Sequence, residues 1–372
     1  MGTDLKKLQQ ALQTDWIDAD AGPGKYLRGI LEKIARGEGV VLEDNQSATQ
    51  ASPAPPGKIL IPTGGTTGRP RHTIHTWKTL SAAAENLAAR IGGPIHGCCI
   101  LPLHHVSGFM QVARALVTGG KVVFPDPGNP EVEPDGLCLS LVPTQLKRFL
   151  EKPGMTGWLQ RFRMIFLGGA AAHENLLNEA RKQRLPLAPC YGMTETAAMV
   201  TLLEPQDFLE GMTGCGKPLP NVQVQVKDGC IRIQSPSLCE GYQPDGPTIG
   251  PWLETRDTGT LDKDGSLHVT GRLDRIIITG GEKVDPAEVE AALLKTPGVQ
   301  EALVAGVDDS EWGQRVTAFI VGETQGLDEK LRQQMRAHKV PKNYIKVDAI
   351  PLNENGKVDW NIIRSLLEQT TQ

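Results

Sequence analysis

Lys58-Ile-Leu-Ile-Pro-Thr63-Gly-Gly-Thr-Thr-Gly68-Arg-Pro70 reads as a short apolar strand running straight into a turn of glycines and threonines. Glycine tolerates positive φ and lets backbone approach a ligand closely, so successive N–H groups can converge on an anion. Thr63, Thr66 and Thr67 add hydroxyl donors, and Gly64, Gly65 and Gly68 supply the freedom. Such a turn suits a polyphosphate. It is not a Walker A loop, which needs GxxxxGK[ST], because Arg69 and Pro70 follow Gly68. Taken alone, the same residues would also serve as a tight loop.

The surroundings set the fold class. Upstream, residues 4–36 read as two short helices split by Asp20 to Gly24, and a polar Ser/Ala/Pro linker runs from Asp44 to Gly57. Downstream, Trp77, Leu80, Ala84, Leu87 and Ile91 recur at helical spacing and predict a helix over 76–91. Short buried strands are expected at 98–103, 121–125, 137–142 and 164–168, and helices at 143–151 and 173–184. Strands alternating with helices predict an α/β fold of layered sheets and helices. Beyond Gly211, residues 222–226, 230–234 and 266–271 alternate apolar and polar side chains, as half-buried antiparallel strands do. The tail opens a helix at Pro286. Strands at 301–307 and 315–322, a helix at 328–338, a strand at 344–350, a Gly/Asn turn and a final helix follow. The division expected is a large α/β domain over 1–273 and a small α+β domain over 274–372.

Composition narrows the function. Hydrophobic residues make up 39% of 372, enough for a sizeable core and against global disorder. With 39 basic against 43 acidic residues, no run of Lys or Arg, and 5% aromatics, a nucleic-acid partner is not expected. No apolar stretch reaches the ~18 residues of a membrane span. No apolar core follows the first lysines, so no secretion is expected and the protein is expected to be cytoplasmic. Seven cysteines without a CxxC pair argue for reduced, mostly buried thiols rather than a zinc site or a disulfide scaffold.

Further motifs follow the Gly-Thr turn in order. Cys190-Tyr-Gly-Met-Thr-Glu195 leaves a strand and is expected to open a helix-like segment. Arg256-Asp-Thr-Gly259 sets a carboxylate before an expected turn. Gly271-Arg-Leu-Asp-Arg275, Thr279-Gly-Gly-Glu-Lys283 and Pro351-Leu-Asn-Glu-Asn-Gly-Lys-Val358 complete the series. In this order, over residues 58–359, the chain resembles the adenylate-forming superfamily of acyl- and aryl-CoA synthetases, luciferases and nonribosomal-peptide adenylation domains.

The resemblance implies an enzyme that joins a carboxylate to AMP, releases pyrophosphate and passes the acyl group to a thiol. ATP, Mg²⁺ and coenzyme A would be its cofactor set. Thr63 to Gly68 would wrap the β- and γ-phosphates. Gly168, Gly169 and Ala170 would border adenine, with Tyr191 stacked on its face beside Gly192. Thr194 would touch the α-phosphate and Glu195 would hold Mg²⁺. Asp257 would grip the ribose hydroxyls, Arg272 would reach ribose or phosphate, and Lys357 would bridge α-phosphate and carboxylate. Asp274 would be the hinge of a mobile C-terminal lid, and Gly280 and Gly281 would leave room for the pantetheine arm.

Two departures stand out. The family's loop usually ends Pro-Lys-Gly, but here it ends Pro70-Arg71-His72, which removes a flexible glycine; the loop also begins unusually early, at residue 63, so against larger members of the family the N-terminal subdomain is expected to be reduced. For the acid, Leu101-Pro-Leu-His-His-Val-Ser-Gly-Phe109 looks like the 2-succinylbenzoate–CoA ligases of menaquinone and phylloquinone synthesis. His105, Ser107 and Gly108 would then line the acyl pocket. Other aryl- or fatty-acyl-CoA ligases carry similar stretches, His104 and His105 could simply stabilise a loop, and a non-catalytic nucleotide-binding relative stays open.

Overall fold

The computed structural model describes residues 3–14, 16, 24–43, 53–63, 71–125, 132–244, 249–353 and 358–370. The chain divides into two compact units. The first comprises residues 1–225, 232–254 and 261–268, and the second comprises 226–231, 255–260 and 269–372.

In the first unit the strands Val122–Val123, Gly97–Cys98, Cys138–Leu141, Met164–Leu167 and Leu187–Met193 lie side by side in that order, all parallel. Ala198–Leu202 and Lys217–Pro218 extend the sheet antiparallel. Parallel strands buried on both faces read as continuous apolar runs, and Cys138–Leu141 and Met164–Leu167 are buried at every position. A second sheet orders Val40–Val41, Ile59–Thr63, Arg71–His75 and Gly241–Gln243.

The expected helix at 76–91 is Trp77–Ile91. It starts at a capping box in which the Thr76 and Thr79 side chains satisfy each other's backbone N–H, worth about 1 kcal/mol. It packs on Val106–Thr118. Leu8, Leu12, Trp16, Leu27 and Leu31 from the chain's first helical region join Trp77, Leu80, Phe109 and Val112 in one core.

In the second unit Glu282–Val284, Ile277–Thr279, Gly313–Gly322 and Val299–Asp309 form an antiparallel sheet, with Asn343–Lys346 added parallel to Gly313–Gly322. The helices Pro286–Leu294 and Leu327–Arg332 cover it through Val289, Leu293, Leu327 and Leu331.

Several sequence expectations need correction. The run 98–103 is strand only at its start; Pro102 has no N–H to give to a ladder, and its carbonyl lies close against Gly108. The helix expected over 328–338 stops at Arg332, and a separate 3-10 turn covers Ala337–Lys339. The expected linker lies largely outside the described residues. No helix among the described residues is long and apolar enough to cross a membrane.

Candidate active site

Thr63 and Arg71 are paired across adjacent antiparallel strands, and the Thr63 hydroxyl donates to the Arg71 carbonyl at 3.3 Å. The two ends of the Gly-Thr loop are therefore held side by side. Gly64, Gly65, Thr66, Thr67 and Gly68 lie outside the described residues, as does Lys357. His72, expected to stiffen that loop, sits within a strand between Pro62 and Gln243, where extended backbone suits any residue.

Side chains alternate across a strand, so Arg71, Thr73 and His75 share one face. Tyr242, directly opposite Thr73, joins that face. The Arg71 guanidinium stacks 4.2 Å over the Tyr242 ring. The Tyr242 hydroxyl donates to Glu195 Oε1 at 3.1 Å, and burial, followed by the Glu195 charge, raises its pKa. His75 is fully buried, and burial lowers its pKa to about 4, so the ring is neutral. Its Nε2 lies 2.8 Å from the Thr194 carbonyl, which can only accept, so Nε2 carries the proton. Nδ1 then accepts from the Thr79 hydroxyl at 2.9 Å, a group the ring shares with the Thr76 carbonyl.

These contacts converge on a short turn. The strand Leu187–Met193 ends at a 3-10 turn, Thr194–Thr196, and the chain returns as the strand Ala198–Leu202. This corrects the helix-like segment expected after Glu195. Ala197 and Ala198 adopt φ of 52° and 78°, unfavourable for residues with a Cβ. The Thr196 hydroxyl bonds back to Met193 and Ala198, and Cys239 N–H donates to the Glu195 carbonyl at 2.8 Å. Gly192 has no substitute here: a Cβ would lie 2.0 Å from the Ala198 carbonyl oxygen.

The carboxyl ends of parallel strands are where open α/β sheets bind ligands. Gly168, Gly169 and Ala170 follow Met164–Leu167 at that end, Gly169 with φ +80°. Tyr191, Gly192, Thr194 and Glu195 follow or end the neighbouring strand, with the Tyr191 side chain largely buried. After Gly97–Cys98, the chain passes through His104 and His105, whose rings lie 4.1 Å apart, into the helix Val106–Thr118. His105 and Ser107 are half-buried, and a Cβ on Gly108 would lie 2.2 Å from the Pro102 carbonyl oxygen.

Two turns along the same helix is a residue that sequence reasoning missed. Arg114 is 4% exposed, and its Nε has no hydrogen-bond partner among the described residues. It lies 5.5 Å from the Phe166 ring, and burial lowers its pKa to about 10. No carboxylate pairs with it among the described residues. The available signal was a charge inside the apolar run Phe109 to Val117.

In the second unit Asp257 is buried in the middle of the strand Leu253–Leu261, rather than before a turn as expected. Arg272 donates to Asp257 at 2.9 Å and to both Asp274 oxygens at 2.9 and 2.7 Å. That fork holds the Asp274 carboxyl below its ordinary range. Asp274 lies in the 3-10 turn Leu273–Arg275. Gly280 and Gly281 form the tip between Ile277–Thr279 and Glu282–Val284, both with positive φ. A Cβ on Gly280 would lie 2.9 Å from the Trp312 ring, a neighbour the motif did not reveal. Lys342 Nζ sits 3.0 Å over that ring.

Among the described residues no three His, Cys, Asp or Glu side chains gather as a metal site. Mg²⁺ carried with a nucleotide needs only one or two carboxylates besides the phosphates, and the fixed Glu195 oxygen fits that demand. None of the seven cysteines forms a disulfide among the described residues, and burial pushes Cys99 and Cys190 up to about 12.

The sequence pattern of the family described as AMP-binding enzyme matches residues 11–242, and that of the AMP-binding enzyme C-terminal domain matches 288–357. The chain is 33% identical over 331 residues to a 2-succinylbenzoate–CoA ligase of Bacillus licheniformis, covering 80% of this chain and 68% of that protein. It is 32% identical over 342 residues to that of Geobacillus kaustophilus, covering 84% and 70%. Among solved structures it is similar to o-succinylbenzoate CoA synthetase from Bacillus subtilis in complex with the acyl-adenylate intermediate, with TM-score 0.69, 26% identity and coverage of 98% and 81%. It is also similar to a Mycobacterium tuberculosis fatty acyl CoA synthetase, with TM-score 0.60, 26% identity and coverage of 84% and 67%. With two family patterns in sequence order and relatives matched over most of its length, the chain belongs to the AMP-binding enzyme family, the adenylate-forming superfamily.

Proposed function

We propose that this protein is a cytoplasmic acid–thiol ligase that activates 2-succinylbenzoate as its acyl-adenylate and transfers the acyl group to coenzyme A, with AMP and pyrophosphate as products. Arg114 is the observation that carries the choice of acid. A guanidinium buried without a carboxylate is costly. The helix that holds it opens with His105, Ser107 and Gly108, the candidate acyl contacts. An acid with a second carboxylate supplies the missing charge, whereas a fatty acid leaves Arg114 unpaired.

In the first half-reaction a carboxylate oxygen of the acid attacks the α-phosphorus of ATP and pyrophosphate leaves. Two anions must meet, so positioned positive charge and hydrogen-bond donors carry the catalysis. Thr63 to Gly68 would wrap the β- and γ-phosphates, Thr194 would contact the α-phosphate, and Lys357 would bridge the reacting groups. Glu195 would hold the Mg²⁺ that comes with the nucleotide, which would supply Lewis-acid neutralisation of phosphate charge. Gly169, Ala170 and Tyr191 border the adenine, and Asp257 and Arg272 hold the ribose. In the second half-reaction the C-terminal lid turns about Asp274, and the Gly280–Gly281 tip admits the pantetheine arm. The coenzyme A sulfur attacks the acyl carbonyl and AMP leaves.

A panel of mono- and dicarboxylic acids scored by AMP release, with and without coenzyme A, tests the reading. The expected result is 2-succinylbenzoate-dependent AMP release that rises with coenzyme A. Release with fatty acids in place of 2-succinylbenzoate would overturn the choice of acid.

A further inference from the structure

We propose that His75, which no motif singled out, is a positioning residue for adenylation: its Nε2–H holds the Thr194 carbonyl and so fixes the peptide joining Thr194 to Glu195. The inference rests on the proposed reading of that turn as the α-phosphate and magnesium site.

The geometry is directional. A backbone carbonyl cannot donate, so the ring must give its Nε2 proton to Thr194. The Thr79 hydroxyl occupies Nδ1 and holds that tautomer. Thr79 also belongs to the capping box of Trp77–Ile91, so the ring is braced by a helix start. Within the turn, the Thr194 carbonyl accepts only the Ala197 N–H, at 3.1 Å. His75 supplies its tie to a segment 119 residues away. In a trans peptide C=O and N–H point in opposite directions, so pinning the Thr194 carbonyl turns the Glu195 N–H away from the ring.

Three outside contacts thus fix Glu195: His75 on the preceding carbonyl, Cys239 N–H on its own carbonyl, and Tyr242 on its carboxylate. The turn needs such help, because two non-glycine residues after it adopt left-handed backbone, and such strain persists only where surroundings over-determine it. The placement of His75 has a further consequence. Arg71, at the other end of the same five-residue strand, leads out of the Gly-Thr loop. One rigid segment, about 13 Å long at 3.3 Å per residue, therefore spaces the loop's exit from the Thr194–Glu195 turn.

Three variants separate positioning from mere core filling. His75→Gln offers an amide N–H at the reach of Nε2, His75→Asn is too short, and His75→Leu is apolar. ATP affinity is measured by calorimetry with Mg²⁺ and with a chelator, alongside thermal unfolding and acid-dependent ATP–pyrophosphate exchange. His75→Asn should lose about tenfold of the affinity that Mg²⁺ adds and a similar factor in exchange kcat, the worth of one hydrogen bond. KM for the acid should not move, and His75→Gln should recover most of both losses. Wild-type-like behaviour of His75→Asn, equal impairment of folded Gln and Asn variants, or failure of all three to fold would overturn the proposal. So would a wild-type ATP affinity indifferent to Mg²⁺. If the wild type exchanges no pyrophosphate with any acid, the proposed function falls, while the nucleotide calorimetry still decides the role of His75.

Discussion

Arg114 in the first unit and Arg272 in the second stand at opposite extremes. Arg272 keeps 47% of its side chain exposed and meets two carboxylates, Asp257 and Asp274. Arg114 is almost wholly buried and meets none among the described residues. The Arg272 pair with Asp274, the more open of the two, is of a kind that contributes about 0–1 kcal/mol and is readily exchanged, while Asp257 is itself buried. A buried unpaired cation of the second kind costs several kcal/mol, which a fold retains where function requires it. At these two positions the first unit therefore holds a fixed, desolvated cation, and the second a charge whose partners can be made and broken.

The largest test of that contrast is Lys357→Ala. If charge in the second unit acts at one step and withdraws, pyrophosphate release should slow by about 10²–10³, the usual effect of losing one transition-state charge donor. Thioester formation from pre-made acyl-adenylate should stay nearly intact, since it needs no charge at the α-phosphate. Equal losses in both half-reactions would break the comparison.

His75 sharpens the other side. Its folded pKa of about 4 lies below the unfolded value of 6.5, so the unfolded chain binds more protons between those limits. Its contribution to stability is complete above pH 6.5, falls as pH drops towards 4, and is constant below. The difference of 2.5 in pKa corresponds to about 3 kcal/mol at most. Urea unfolding of wild type and His75→Gln should converge or cross as pH falls from 7 to 4.5, with the wild type losing more. Parallel curves would mean the ring is not held neutral.

Arg114 also shows where sequence reading stops. The strand–helix alternation and the motif order were legible because each depends on neighbours in the chain. Pairings made by register were not. Tyr242 reaches Glu195 across 47 residues and His75 reaches Thr194 across 119, and neither partner marks the other locally. Asp257 was read as preceding a turn because of Gly259, yet Leu253–Leu261 continues as strand through that glycine. The segment after Glu195 was expected to be helical, and the Ala197 and Ala198 conformations, held by tertiary bonds, direct it into a strand instead. Arg114 is one charge in an apolar helix, and nothing beside it in the chain marks it as buried.

Arg114→Met is the next test in size. Removing a charged hydrogen-bond donor from a bound carboxylate costs about 1.5–3 kcal/mol, so KM for the dicarboxylate should rise about 10- to 150-fold. The variant's own stability should stay level or increase, since an apolar side chain of similar length replaces an unpaired charge. A marked drop in melting temperature would mean that Arg114 is satisfied inside the fold, and the contrast with Arg272 would fail.

The smallest effect belongs to Asp274→Asn. Arg272 would keep Asp257 at 2.9 Å and its exposed side in water, so no charge is orphaned. Stability should fall by less than about 1 kcal/mol at low salt, and the difference should vanish near 1 M salt, where screening acts over about 3 Å. The sign with pH follows from the lowered pKa: the contribution of Asp274 is complete above its unfolded value and is lost as pH falls through the lower folded one. Thermal unfolding of both proteins at two salt concentrations and at pH 7 and 3 checks this. A loss of several kcal/mol that salt leaves untouched would show that Asp274 acts as a buried partner. The two arginines would then differ in partner number alone, and a hinge at Asp274 would have to break a strong bond at every turnover.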